Sequence, residues 1–410
     1  MQPRGVLDIG WADLAHGLWA CARPGRRGRA HGRIEAAWTG EDDCLCTLSV
    51  RSGFETLLTA LRLPAGAEVL TSALTIADMP RILTHHGLVP IPVDLDMDAL
   101  RVDIAALQRA VTKHTQAILV AHVFGSRMPL DDVADFARHH DLILVEDCAQ
   151  AYTGPTYTGH PLSDVSMFSF GPIKTSTALG GAMLRVRDRS LLESMRLVQS
   201  RLPVQTRRAF VRKVVKYAGV KLVTRPTAFG LLARACRWLG ADHDTVINQS
   251  LRGFAGPDFF SQIRQRPSYP LLVLLERRLR SFDVSRIERR RNTAAKARAS
   301  MPTTVQVGAR ARCHSHWVFP VSSARPDALM RHLWAHGFDA TRGRSSLAVV
   351  APPLGHPELE ATTSERAMAR IVYLPVHPQV SAGDLARLGR LVTDFETGSR
   401  TEAGGGDAAG

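Results

Sequence analysis

Leu142-Ile143-Leu144-Val145-Glu146-Asp147-Cys148-Ala149-Gln150 is the stretch whose reading decides the fold. A short apolar run that ends in two carboxylates reads as a buried strand with polar groups at its end. Upstream, Ala117-Ile118-Leu119-Val120-Ala121-His122 repeats the pattern, and Glu68-Val69-Leu70 and Leu88 to Asp94 give weaker versions of it. Between the two clear runs, Leu130 to His140 sets Val133, Phe136 and Ala137 at helical spacing. Strands alternating with helices predict an α/β fold with a mainly parallel sheet. Ligands of such sheets lie beyond the carboxyl ends of strands, where Asp147 falls.

Downstream, the run Phe168-Ser169-Phe170-Gly171-Pro172-Ile173-Lys174 ends in the only Lys between Lys113 and Lys213. An isolated Lys is ordinarily a solvated charge, and a strand-end Asp is ordinarily a loop cap. Together, in an apolar Gly-containing setting, they are what an enzyme needs to hold pyridoxal phosphate (PLP). The Lys174 amine forms the Schiff base, and Asp147 keeps the pyridine nitrogen protonated so that the ring draws electrons. Gln150 is placed to hydrogen-bond the ring hydroxyl, and the Ser169 hydroxyl to bind phosphate. Proton transfer by Lys174 requires a depressed pKa, which a desolvated site supplies.

A phosphate cradle is expected at Ser52-Gly53-Phe54-Glu55. This segment opens an amphipathic helix with Phe54, Leu57, Leu58 and Leu61 on one face. Ser followed three residues later by Glu is a capping-box pattern, and amides at a helix start bind anions, with Gly53 permitting close approach. Most capped helices hold no ligand, so this signal draws its weight from Lys174 and Asp147.

Composition sets the bounds. The chain has 410 residues, 45% hydrophobic and 22% charged, enough for a large core and two domains. The net charge of +14 would suggest nucleic acid, but Arg is scattered and no zinc-finger or RNA-binding motif is present, so nucleic acid is not an expected partner. Of six Cys only Cys44 and Cys46 are close, and C-x-C is not a zinc pattern. The adjacent pairs His85-His86 and His139-His140 face different ways on a helix, so no metal is expected. Cys148 reads as a buried thiol. Cysteine usage fits a reduced, cytoplasmic chain. Met1 to Ala20 lacks the apolar core of a signal peptide, and no run of eighteen apolar residues suggests a spanning helix.

From Ser52 to Val186 the sequence resembles the DegT/StrS family of sugar aminotransferases, which are fold-type I PLP enzymes. Ser52-Gly53 resembles the family's Ser-Gly-Thr loop, and Thr75 falls at its Thr-aromatic pair. His122-Val123-Phe124-Gly125 resembles its His-x-x-Gly turn, and Glu146-Asp147-Cys148-Ala149-Gln150-Ala151 its Glu-Asp-x-Ala-Gln-Ala segment. Phe168-Ser169-Phe170, with Lys174 five residues after the Ser, matches its Schiff-base motif. Leu374-Pro375-Val376-His377-Pro378 resembles its late small-domain strand. The strong part covers about a third of the chain. The resemblance implies a large domain with a mainly parallel seven-stranded sheet, a smaller C-terminal α/β domain, and a homodimer with sites at the subunit interface. It implies amino transfer from glutamate or glutamine to a keto sugar, usually carried on a nucleotide, in biosynthesis of a modified sugar, glycan or secondary metabolite. Lys174 disfavours the dehydratase branch, which has His there.

Departures are equally specific. Ile76 stands where the family stacks an aromatic ring on the cofactor. Ala178-Leu179 replaces Gly-Glu, and His316-Trp317 replaces an aromatic-His pair. The Asn-aromatic-Arg loop that reaches the partner's phosphate is unrecognisable, with Arg264 the nearest substitute. Roughly forty extra residues intervene between Lys174 and that loop.

The expected organisation is an irregular segment 1–45, a large PLP domain 46–300 with a basic helical insert at about 194–250, a small domain 301–396, and a disordered tail 397–410. Within the insert, Phe210, Val214 and Tyr217 fall at helical spacing among basic residues. Either this helix packs one face on the core, or residues 207–237 meet an anionic membrane or a phosphate-rich substrate. Two rival functions share the site. One is a PLP-dependent lyase or another PLP reaction on an amino acid; the other is a catalytically degenerate binding or regulatory protein.

Overall fold

A computed structural model describes residues 1–38, 40–239, 243–245, 247, 254, 258–343 and 346–404. Seven strands form the central sheet: β1 Cys44–Thr47, β2 Glu68–Ser72, β3 Val89–Val93, β4 Thr115–Ala121, β5 Ile143–Asp147, β6 Val165–Ser169 and β7 Ala182–Val186. Their order is β1-β7-β6-β5-β4-β2-β3. Pairings from β6 across to β3 are parallel, and β7 runs antiparallel to both its neighbours. The sheet is therefore the mainly parallel, seven-stranded one expected.

Successive strand residues point to opposite faces. Leu70, Ile91, Ile118, Val120 and Leu144 enter one core, while Val69, Leu119, Val145, Met167 and Leu184 enter the other. Both faces are covered, which is why these strands read as continuous apolar runs rather than alternating ones.

Residues 1–45 are not irregular. Helices α1 (Trp11–Ala22) and α2 (Arg27–Trp38) lie here, and Ala30, Ile34 and Trp38 of α2 are buried at i, i+4 and i+8 spacing. The high Arg content of α2 belongs to its outer face and masked that stripe. Preceding them, residues 2–8 form a strap. Arg4 pairs bidentately with Asp339 at 2.6 and 2.7 Å, Gln2 Nε2 donates to Asp384 Oδ2 at 3.0 Å, and the Ser176 amide donates to Asp8 Oδ2 at 2.9 Å.

Helix α3 (Val50–Leu61) packs on the sheet. The basic insert starts later than expected, because helix Arg189–Ser200 buries Leu192 and Met195 against the same core as α3. Helices α4 (Arg207–Val223) and α5 (Pro226–Trp238) follow, and most of the rest of the insert lies outside the described residues. Phe210, Val214 and Tyr217 of α4 are buried with α1 and with α6 (Tyr269–Arg280), so that stripe belongs to the core.

The small-domain core forms around the antiparallel pair Phe319–Ser322 and Ile371–Leu374. It also includes Ala294 and Ala297 of α7 (Ser285–Ala299), which lie ahead of residue 301 in the chain. The closing helix α8 runs Ala382–Gly404, through the first part of the segment expected to be disordered; residues 405–410 lie outside the described set.

Candidate active site

Glu146 and Asp147 are consecutive on β5, so their side chains leave opposite faces of the sheet. Glu146 enters a closed polar knot. Its carboxylate accepts from His122 Nε2 at 2.8 Å, Ser166 Oγ at 2.7 Å, the His160 amide at 2.8 Å and the Tyr157 hydroxyl. His122 Nδ1 accepts from the Met128 amide at 3.2 Å, which fixes the proton on Nε2. Burial pushes the Glu146 carboxyl up, but the donors from His122, Tyr157 and His160 outweigh it and hold the group well below its ordinary range. Glu146→Ala leaves these donors buried without an acceptor. The expected loss is about 3–5 kcal/mol of stability, by denaturant unfolding, with the site residues otherwise intact.

Asp147 is buried at the end of β5, and Oδ1 accepts from the Ala149 amide at 2.9 Å. Burial raises its carboxyl above the usual carboxylate value, against the pull of the Ala149 amide and Lys174. Lys174 projects from the turn after β6, where its amide donates to Gly171 O at 3.0 Å. Burial pushes its ammonium down to about 8; Asp147 opposes the shift and Arg51 adds to it. The Lys174 Nζ lies 4.4 Å from the ring centroid of Trp317, and Trp317 Nε1 donates to Ile173 O at 2.9 Å.

Gln150 Oε1 accepts from the Phe124 amide at 2.8 Å, leaving the side-chain NH2 to donate elsewhere. Phe124 (φ 61°) and Gly125 (φ 90°) make a left-handed turn. A Cβ on Gly125 would stand 2.6 Å from Trp317 N, so the turn requires glycine to let the small-domain segment approach. Ser169 Oγ, half-buried near Lys174 in the chain, accepts from the Gly171 amide at 3.4 Å.

The cradle differs from expectation. The N-cap of α3 is Ser49, whose Oγ accepts from the Ser52 amide at 3.1 Å and lies 2.9 Å from Ser52 Oγ. The Gly53 amide is already bonded to Ser49 O at 2.9 Å, and a Cβ on Gly53 would meet Leu184 at 2.6 Å. Gly53 thus serves close packing of α3 on β7, and Phe54 is buried in that core. Glu55 does not cap back. It binds His86 Nε2 at 2.9 Å and Arg264 Nε at 2.7 Å, and Arg264 Nη2 also lies 2.7 Å from His85 Nε2. Arg264 is therefore paired away from Lys174 within this chain. Ile76 is half-buried and paired with Leu347 across a short ladder.

One group, Arg51, escaped sequence reasoning, and Thr75 and Trp317, met there only through the resemblance, gain their surroundings here. Arg51, held by an ion pair to Asp78, is the cation that acts on both Lys174 and Asp147. Thr75 Oγ1 is buried without a hydrogen-bond partner, next in sequence to Ile76. Trp317 supplies an aromatic ring at the lysine. Arg51 directly precedes the Ser-Gly pair, which was the one available signal.

A profile of the DegT/DnrJ/EryC1/StrS aminotransferase family matches residues 19–223. The chain is 34% identical to GDP-perosamine synthase of Caulobacter vibrioides over 145 residues, 35% of this chain and 39% of that protein. It spans about two fifths of the length of the curated relatives it matches. Its fold is similar to that of the aminotransferase TlmJ from Streptoalloteichus hindustanus, with a TM-score of 0.67 at 20% identity over 96% of this chain and 99% of that one. It is equally similar to E. coli GDP-4-keto-6-deoxy-D-mannose-3-dehydratase with bound hydrated PLP, at TM-score 0.67 and 16% identity over 96% and 99% of the two chains. One fold thus carries both amino transfer and dehydration, and the choice falls to the side chains.

Proposed function

The chain belongs to the DegT/DnrJ/EryC1/StrS aminotransferase family, and from that premise we propose that it is a PLP-dependent aminotransferase acting on a keto sugar. The observation that carries the proposal is that the parallel pair β5–β6 sets a buried aspartate, Asp147, at the carboxyl end of one strand and the Lys174 turn beyond the same end of its neighbour. The residues fit the cofactor. Asp147 has an oxygen beyond the one held by Ala149, Thr75 Oγ1 lacks a partner, and Arg51 places positive charge at the start of α3. Lys174, Asp147, Gln150, Ser52 and Ser169 would hold PLP, with Arg51 contributing charge where the Gly53 amide and Arg264 are otherwise engaged.

PLP, when bound, supplies an aldehyde and an electron-withdrawing ring. Asp147 holds a proton at the ring nitrogen. Neutral Lys174 Nζ would accept the proton that leaves the donor's α-carbon. Trp317 covers Lys174 and restricts water there. In this reading the donor is glutamate or glutamine, the acceptor a nucleotide-linked keto sugar and the working unit a cytoplasmic homodimer; the names of a GDP-perosamine synthase and a UDP-4-amino-4-deoxy-L-arabinose–oxoglutarate aminotransferase among the relatives support the acceptor and the use of an amino-acid donor.

The test is a half-reaction. Incubated with glutamate or glutamine and no acceptor, the holoenzyme should release one equivalent of 2-oxo acid per site. A lyase or a degenerate binding protein releases none in that stoichiometry, and that result would sink the proposal.

The lysine also sets a pH dependence. Only neutral Lys174 attacks the aldehyde, so the initial rate of PLP capture should rise about tenfold per pH unit below about pH 8 and level off above it. Arg51→Ala removes a charge that depresses the amine, so the inflection moves to higher pH. Stopped-flow absorbance of apoprotein mixed with PLP measures both.

A further inference from the structure

We propose that the exposed faces of α1, α4 and α5 dock this protein onto an anionic lipid bilayer. The stripe of α4 that sequence spacing offered to a membrane is used inside: Phe210, Val214 and Tyr217 are at most 2% exposed. The opposite stripe of the same helix carries Arg208, Arg212, Val215, Lys216 and Leu222, all exposed. On α5, Phe229, Ala233 and Cys236 turn inward, while Leu231 (66%) and Trp238 (86%) face solvent beside exposed Arg234. On α1, Trp11, Leu18 and Trp19 are exposed at 41–47%.

These faces adjoin. Arg207 Nη1, at the start of α4, donates to Cys21 O at 3.0 Å and Arg23 O at 2.8 Å, at the end of α1. Lys221, near the end of α4, sits 5.9 Å from the Trp11 ring at the start of α1. The helices are therefore antiparallel neighbours. Cys21, Arg207, Arg208, Val211 and Arg212 line a hollow at their seam, a cationic seat for a phosphate headgroup.

Charge selects the occupant. Residues 194–241 contain no Asp or Glu, and the one acid of α1, Asp13, is buried against Arg277 and Arg278. The three faces thus combine Trp and Leu with Arg and Lys and present no counter-charge. Tryptophan suits the boundary between headgroups and acyl chains, and cations suit an anionic surface; stable attachment needs both signals. Contact of this face with its own copy across a two-fold axis would set cation against cation. Among the described residues no helix is long and apolar enough to cross a membrane, so the contact is peripheral.

The experiment sediments the PLP-loaded full chain with vesicles of phosphatidylcholine, alone or mixed with phosphatidylglycerol. We expect partition onto the mixed vesicles only, with steep loss as salt rises. The double variants Leu231→Ser/Trp238→Ser and Arg208→Glu/Arg212→Glu should each lower partition about tenfold or more. Circular dichroism and cofactor absorbance establish that the variants remain folded. No partition at low salt would overturn the proposal, as would partition unchanged in the Leu231/Trp238 variant. Equally, if Trp11→Ser/Trp19→Ser halves the molecular mass in solution and vesicles are not bound, the face is an interface between copies and the proposal fails.

Discussion

Lys174→Ala should reduce amino transfer by on the order of 10⁴-fold or more and abolish borohydride-fixed PLP. The amine has two tasks, covalent attachment of the cofactor and movement of the α-proton, and no neighbour replaces either. Its depression to about 8 comes mainly from burial, so the variant also sheds a desolvated amine, and the apoprotein should unfold no more easily than wild type. Mass spectrometry of the borohydride-reduced protein locates the attachment. One competitor exists: burial pushes Lys213 down to about 8 as well, and its Nζ would lie 3.7 Å from a Cβ built on Gly180. PLP fixed to Lys213, and retained in Lys174→Ala, would overturn the assignment of the site. Lys213→Ala is expected to leave the fixed cofactor in place.

The second large effect is at Asp147. Asp147→Ala should lower transfer by on the order of 10²–10⁴ while leaving Lys174 able to capture PLP. With the carboxylate gone, nothing else among the described side chains of β5 keeps a proton on the ring nitrogen. Two signatures separate this from a folding defect. Cofactor absorbance should shift to its unprotonated-ring form, and the Lys174 titration should move lower, because Asp147 is the charge that raises it. Asp147→Glu should recover part of the loss if reach rather than charge is limiting. An unchanged rate in Asp147→Ala would mean that the ring nitrogen is not protonated by this residue.

The sheet was legible because it rests on local chemistry, continuous apolar runs, and so were the placing of a carboxylate at a strand end and of a lone Lys in the turn after the next strand. What escaped depends on contacts made across the chain. Arg51 looks like any helix-start arginine until Asp78 is seen to hold it and its field to reach Lys174. Trp317 reads as part of a strand of the small domain, and only the turn at Gly125 brings it to Ile173 and Lys174. Gly53 invites a phosphate reading from its neighbours, whereas its missing side chain makes room for Leu184. Helix α2 was obscured because its arginines dominate the composition while three residues at a four-residue interval do the packing. The family profile shares this limit, since it matches residues 19–223 and leaves the small domain out.

The strap at residues 2–8 bears on how the chain is made. Its partners Asp339 and Asp384 lie hundreds of residues later, so a segment that leaves the ribosome early must wait for nearly the whole chain. Asp8 in that segment holds the Ser176 amide, two residues past the lysine. On a nascent chain the sheet can assemble first, since its strands end at Val186. Asp8 is itself held by Arg278 and Arg290, and Ser176 Oγ donates to Arg278 O at 3.0 Å, so the lysine turn is tied down by residues made well after it.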